Sequence, residues 1–345
     1  MSQNDPAVAR LQVQAYDALN SYLQAHNDQV AEIEVLSPAI QPTDGILMQD
    51  GLSVGIPKKI LALAYVEARK RFFNHAKTED LYSIALQATK VILLFDPEHL
   101  TAANFRKHRL VTLRSTATPD AEIAFRKAVD CEFCFLDSIL TSPLHRQSKS
   151  PTLWYHRFWL LELLGLRNLK TVPENGRTDF WRTELASVCK SGERHPKNYY
   201  AWQYGRRLLD SVHDTESKLE YAQSVKNWCC KHPSDISGWS CLTHLISNVE
   251  SLSDRLDIVR DVLGYAIALQ FQHESLWVFI RTIVAHDMLH EGQVGLVLML
   301  QNYSKELEST GKHGDLLECV VRNINWIKKH GGTFDGSVQE SNLGI

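Results

Sequence analysis

Two lysines are the first residues whose type and spacing suggest chemistry. Lys149 and Lys197 each stand five residues before a tryptophan, Trp154 and Trp202. Each falls just ahead of an expected helix. Ser150-Pro151 is an N-cap with proline at the first helical position, and Asn198 is a good N-cap after Pro196. An ammonium at a helix start opposes the positive end of the peptide dipole. The placement becomes favourable when an anion binds, because helix N–H groups and lysines then converge on it. Such a pair suits an anionic ligand. The plainer reading is a pair of solvated lysines.

Other candidates point to packing. Cys131-Glu-Phe-Cys134 has metal-ligand spacing but lies in an apolar helical run without a second pair. Cys229-Cys230 has no partners of the right kind. His286 and His290 lie four apart, but glutamate is missing from the position a metalloprotease helix requires. No metal or cofactor is expected in this chain. Seven cysteines, an odd number scattered through helical stretches, suit reduced thiols.

The elements that position the lysines repeat. The stretch from His195 to Leu209, HPKNYYAWQYGRRLL, is echoed by KSPTLWYHR from Lys149 and DPEHLTAANFR from Asp96. Weaker copies are HPSDISGW from His232 and QHESLWVFIR from Gln272. The tryptophan slot holds Ala103, Trp154, Trp202, Trp239 and Trp277, at steps of 51, 48, 37 and 38 residues. Such periods mark a stacked array of small units, each with a second helix and two turns. The lysine slot holds Glu98, Ser234 and Gln272 in the other units. Trp154, Trp202, Trp239 and Trp277 are therefore expected to pack hairpin on hairpin, and Arg157, one turn beyond Trp154, to pair with a carboxylate.

The repeated pattern, proline, then Asn or Ser, then Trp and Arg at helical spacing, resembles the repeat of protein prenyltransferase alpha subunits. Five copies in order cover about Ile84 to Leu289. Within that family the N-terminal stretch and Lys149-Ser-Pro are most similar to the divergent repeat-containing members. The resemblance implies an alpha subunit of a heterodimer that transfers a farnesyl or geranylgeranyl group from its diphosphate to a protein cysteine. It puts Lys149 on the lysine that contacts the diphosphate. It puts Lys197, Asn198, Tyr199 and Tyr200 on the motif of the next repeat facing the same site. Zinc and most of the lipid pocket are expected in the beta subunit. The acceptor would be a protein with a C-terminal cysteine. The sequence departs from the pattern at Pro151, where tyrosine is frequent, at Tyr200, at Tyr204-Gly205, and at Ser240-Cys241-Leu242. These departures keep open a second reading, a non-catalytic helical scaffold for protein–protein interaction.

The expected fold is all-α, a right-handed superhelical array of antiparallel helix hairpins curved into a crescent. Residues 1–78 should form N-terminal helices and a short arm, 79–330 the repeats, and 331–345 a flexible tail. Pro6 to His26, Lys58 to His75 and Leu81 to Leu94 read as helices. Ile33 to Leu36 and Ile46 to Met48 read as an arm or small hairpin. Thr101 is expected to cap the first repeat helix, and Gly165 to stop the second. At 44% hydrophobic the chain can bury a large core. A net charge of −3 without single-sign runs gives no support for nucleic-acid binding. No 18-residue apolar run is present, so no membrane span is expected, and the polar residues 1–10 lack a signal-peptide core. A cytoplasmic protein is the expectation.

Overall fold

The computed structural model describes residues 6–78, 81–116, 118–165, 174–209, 212, 214–290, 292–311 and 314–331. It is 76% helical, with fifteen helices among the described residues. The chain divides into two compact units, Met1–Tyr204 and Gly205–Ile345. Their boundary lies within one helix of the expected repeat region. The expected tail, Gly331 apart, lies outside the described residues.

The first unit opens with α1 (Pro6–Ala25), which buries Ala15, Tyr16, Leu19, Tyr22 and Leu23. It packs against α2 (Lys58–His75) and α3 (Tyr82–Phe95). Between α1 and α2 run β1 (Glu32–Leu36), β2 (Met48–Asp50) and β3 (Ser53–Pro57), in sheet order β1-β3-β2. The expected arm is thus a small mixed sheet. Its hairpin joins β2 to β3 around Gly51, whose φ of 54° suits glycine. β1 adds in parallel, with Val35 opposite Ile56. Gly55 allows this close approach, since a Cβ there would lie 2.5 Å from Leu36 Cδ2. The sheet is tied to the helices by Ala31 N–H and Ile33 N–H, which donate to Ser138 Oγ and Ser142 Oγ at 2.8 Å each.

Several of the repeat helices begin on side-chain caps. His99, not Thr101, caps α4 (Leu100–Ser115), and Nδ1 accepts from Ala102 N–H at 3.2 Å. Thr101 already lies inside the helix, so its hydroxyl is past the capping position. Thr118 caps α5 (Pro119–Leu140), with proline at its start and Asp120 and Glu122 complementing the dipole in the first turn. A single turn, α6 (His145–Ser148), then leads to α7 (Pro151–Leu163), where Ser150 Oγ accepts from Leu153 N–H. Gly165 ends that segment with φ 71°. Next come α8 (Glu174–Arg194) and α9 (Tyr199–Leu209). Ala103, Trp154 and Trp202 are all buried.

The second unit takes in the end of α9, then α10 (Thr215–Lys231), α11 (Ile236–Ser247), α12 (Leu252–Ala268), α13 (Glu274–Val284), α14 (Gly292–Thr310) and α15 (Gly314–His330). Asp214, Asp235 and Ser251 cap α10, α11 and α12. Trp239 and Trp277 are buried, as expected for their slot. Both units are built from helix hairpins whose inner faces carry the tryptophan slots.

Candidate functional site

One hydrogen bond recurs with the repeat. Trp154 Nε1 donates to Ser148 O at 2.7 Å, Trp239 Nε1 to Pro233 O at 3.0 Å, and Trp277 Nε1 to Phe271 O at 2.8 Å. Each acceptor lies six residues before its tryptophan, so the indole staples the entry turn onto its own helix. The matching carbonyl in the third repeat is Pro196 O, and it accepts from Lys149 Nζ at 3.3 Å. Lys149, which closes α6, thereby reaches the turn that starts α9.

That contact belongs to a clamp between the two entry turns. Asn198 Nδ2 donates to Ser148 O at 2.9 Å and to Ser191 Oγ at 3.0 Å. His195 Nε2 lies 2.8 Å from Ser142 O, and the rings of His145 and His195 meet edge to face at 5.8 Å. Arg194 grips Glu32 through two hydrogen bonds of 2.9 and 2.8 Å, joining the end of α8 to the sheet. Those bonds hold the Glu32 carboxyl below its usual range. Burial pushes the His195 pKa down against the opposing pull of the Ser142 carbonyl, with His145, Lys149 and Arg194 adding to the depression. This imidazole is therefore neutral at pH 7.

The expected site residues fall into two groups. Lys149 is half-exposed, Lys197 and Tyr199 are exposed, and Tyr200 is half-buried, its ring 5.4 Å from that of Tyr199. These face outward around the start of α9. Asn198 is fully buried, with its amide nitrogen committed inside the protein and Oδ1 3.4 Å from Ala201 N–H. It builds the turn and presents no surface. Lys197 has φ 62°, a left-handed conformation that costs a non-glycine residue on the order of 1–3 kcal/mol. The start of α7 differs. Pro151 has no N–H, Ser150 caps the helix, and Thr152 donates to the Glu98 carboxylate. A carboxylate already occupies the positive end of α7.

Behind the clamp lies a buried ionic network. Arg157 donates from Nε and Nη2 to Glu184 at 2.7 and 2.9 Å, and pairs with Asp137 at 2.9 Å. The Tyr204 hydroxyl also donates to Glu184. Arg157 on α7 thus finds its carboxylates on α5 and α8. The arrangement has a counterpart one repeat earlier, where Arg106 Nε donates to Glu132 at 2.8 Å. An arginine followed 26 or 27 positions later by glutamate is the one signal that could have revealed both pairs in the sequence.

No group of three or more potential metal-ligating side chains occurs among the described residues. Burial raises the thiol pKa values of Cys131 and Cys134, and takes those of Cys230 and Cys241 to about 11 and about 12. These thiols stay protonated at neutral pH. No helix among the described residues is long and apolar enough to cross a membrane.

Stapled entry turns and buried Arg–Glu pairs define an α-helical repeat protein. Comparison with known proteins gives the particular kind: the chain is a distant homologue of prenyltransferase alpha subunits and of prenyltransferase alpha subunit repeat-containing proteins. It is 24% identical over 254 residues to geranylgeranyl transferase type-2 subunit alpha of Saccharomyces cerevisiae, covering 67% of this chain and 71% of that one. It is 26% identical over 201 residues to human protein prenyltransferase alpha subunit repeat-containing protein 1, covering 55% of this chain and 44% of the human one. The rat geranylgeranyl transferase type-2 subunit alpha is 30% identical over 142 residues, 41% of this chain and 22% of that one. The chain therefore spans less than half the length of the human and rat relatives it matches. The profile of the family described as ECM9 middle domain matches residues 158–260.

Proposed function

We propose that the chain is the alpha-type subunit of a heterodimeric protein prenyltransferase. It supports transfer of a geranylgeranyl or farnesyl group from its diphosphate to a protein cysteine. The observation that carries the reading is the Lys149 ammonium held against Pro196 O, at the start of α9 and next in sequence to Lys197. In the reaction the acceptor sulfur forms a bond to the prenyl C1 carbon, the C–O bond to diphosphate breaks, and diphosphate leaves. Negative charge grows on the departing oxygens. Lys149 spends one N–H on Pro196, which fixes the ammonium in place, and has two more for the leaving group. Lys197, Tyr199 and Tyr200 border the same place. Zinc, which would activate the acceptor thiol, belongs in this reading to the beta subunit.

A second reading, a non-catalytic scaffold, draws on a specific feature. The start of α7 is closed to an anion by Pro151 and by the Glu98 carboxylate on Thr152. Copurification with a beta subunit, followed by a prenyl-transfer assay, separates the two. Turnover by the complex supports the first reading. A stable complex that binds prenyl diphosphate no better than the beta subunit alone and does not turn over establishes the second.

A further inference from the structure

Away from the entry turns, a cavity of about 180 Å³ opens among α1, α3, α4 and α5. Three cations line it, Lys90, Arg106 and Arg109, together with one carboxylate, Glu132. Lys90 is only 7% exposed and Arg106 5%. Arg106 takes both oxygens of Glu132, through Nε at 2.8 Å and Nη2 at 2.5 Å. Lys90 Nζ is left with one hydrogen bond among the described residues, to Leu23 O at 3.2 Å. Burial, with Arg106 beside it, draws the Lys90 pKa down to about 8, so the ammonium is still mostly charged at pH 7. The nearby His156, 3.4 Å from Glu132, adds no charge, because burial lowers its pKa to about 4.

The contrast with the next repeat is informative. There the equivalent Arg157 meets two carboxylates, Asp137 and Glu184. Here three cations meet one, an excess of two positive charges around the cavity. A buried ammonium without its own carboxylate is unfavourable unless an anion enters. A phosphate dianion matches that excess, and a monocarboxylate does not. The Arg109 guanidinium fork and the Lys90 ammonium are the groups left to hold phosphate oxygens, while Arg106, committed to Glu132, Leu86 O and Thr89 Oγ1, adds its charge beside them. The amides of Gln24, Asn27 and Gln87 line the same cavity and offer further donors.

We propose that this cavity binds a phosphate group, free or on a small ester, between Lys90, Arg106 and Arg109. The site is independent of the prenyl-transfer reading and of the turn at α9. The test titrates the full chain with inorganic phosphate and with glycerol 3-phosphate, by calorimetry, in chloride of matched ionic strength. The expected result is saturable binding, weakened at least about tenfold, or about 1.4 kcal/mol, in both Arg109→Gln and Lys90→Gln and unchanged in Lys305→Ala, an exposed lysine on α14. Arg109 is half-exposed, so its variant keeps the fold, and circular dichroism verifies this for each variant. Tighter binding of the ester than of phosphate indicates a phosphorylated small molecule as occupant, and equal binding indicates the free ion. Lack of saturation, unchanged binding in Arg109→Gln, or an equal loss of binding in Lys305→Ala overturns the proposal.

Discussion

Replacing Glu184 with alanine removes the main support of a fully buried guanidinium. Arg157 is 1% exposed, and Glu184 3%. The substitution abolishes the two hydrogen bonds from Arg157 at 2.7 and 2.9 Å, and strands the Tyr204 hydroxyl. What remains is Asp137, ion-paired at 2.9 Å and hydrogen-bonded at 3.2 Å, and a long bond of 3.5 Å to Ser187 Oγ. Burial opposes the Arg157 charge, and Asp137 and Glu184 outweigh it, raising the pKa well above its ordinary value; without Glu184 the intrinsic basicity of a guanidinium still keeps the proton on. Leaving a buried charge half-compensated costs roughly 3–5 kcal/mol. Glu184→Gln keeps an acceptor and should cost less, about 1–3 kcal/mol. Urea denaturation at pH 7, followed by tryptophan fluorescence, reads both. A Glu184→Ala variant within about 1 kcal/mol of wild type would refute the reasoning, since that is the range of an exposed ion pair. The double variant Arg157→Met/Glu184→Leu should recover part of the loss, because the guanidinium and its main carboxylate go together, while Asp137 loses its partner.

Three further outcomes follow from the same geometry. His156 has a folded pKa of about 4 against 6.5 unfolded, so the unfolded chain binds more protons between these values and stability falls as pH drops from 6.5 towards 4. Denaturation midpoints across that window should slope downward towards acid. His156→Gln should flatten the slope, although Glu132, whose pKa is also depressed, keeps part of it. Lys197→Gly should hold or raise stability by up to about 1 kcal/mol by relieving the left-handed backbone, whereas Lys197→Val, β-branched at the same positive φ, should destabilise; thermal melts distinguish them. Trp202→Ala, at a position with no solvent exposure, should cost roughly 3–5 kcal/mol in urea denaturation.

Helices with strong end signals were legible in the sequence. Pro119 and Ser150-Pro151 set the starts of α5 and α7 where capping chemistry puts them, and Gly165 ends its segment with positive φ. The buried tryptophans were legible from their spacing. The cap of α4 was not, because a histidine accepting through Nδ1 is a rare cap and Thr101 is a common one. The parallel pairing of β1 with β3 was hidden as well. It rests on Gly55 making room for Leu36, a tertiary contact with no local signature. At the candidate site, spacing picked out Lys149 and Lys197. It could not distinguish Asn198, which is consumed in the clamp, from its exposed neighbour Tyr199. Nor could it show that Lys149 bridges to Pro196, since the two lie 47 residues apart.

The central claim is that Lys149 stabilises a departing diphosphate at the start of α9. It is tested most directly by single-turnover prenyl transfer with a copurified beta subunit, comparing wild type, Lys149→Ala and Glu98→Ala. The account predicts a loss in kcat for Lys149→Ala of ~10²–10³-fold with the heterodimer intact, and almost no loss for Glu98→Ala. Wild-type kcat and prenyl-diphosphate affinity in Lys149→Ala, in a complex verified to have assembled, would contradict it and leave the scaffold reading.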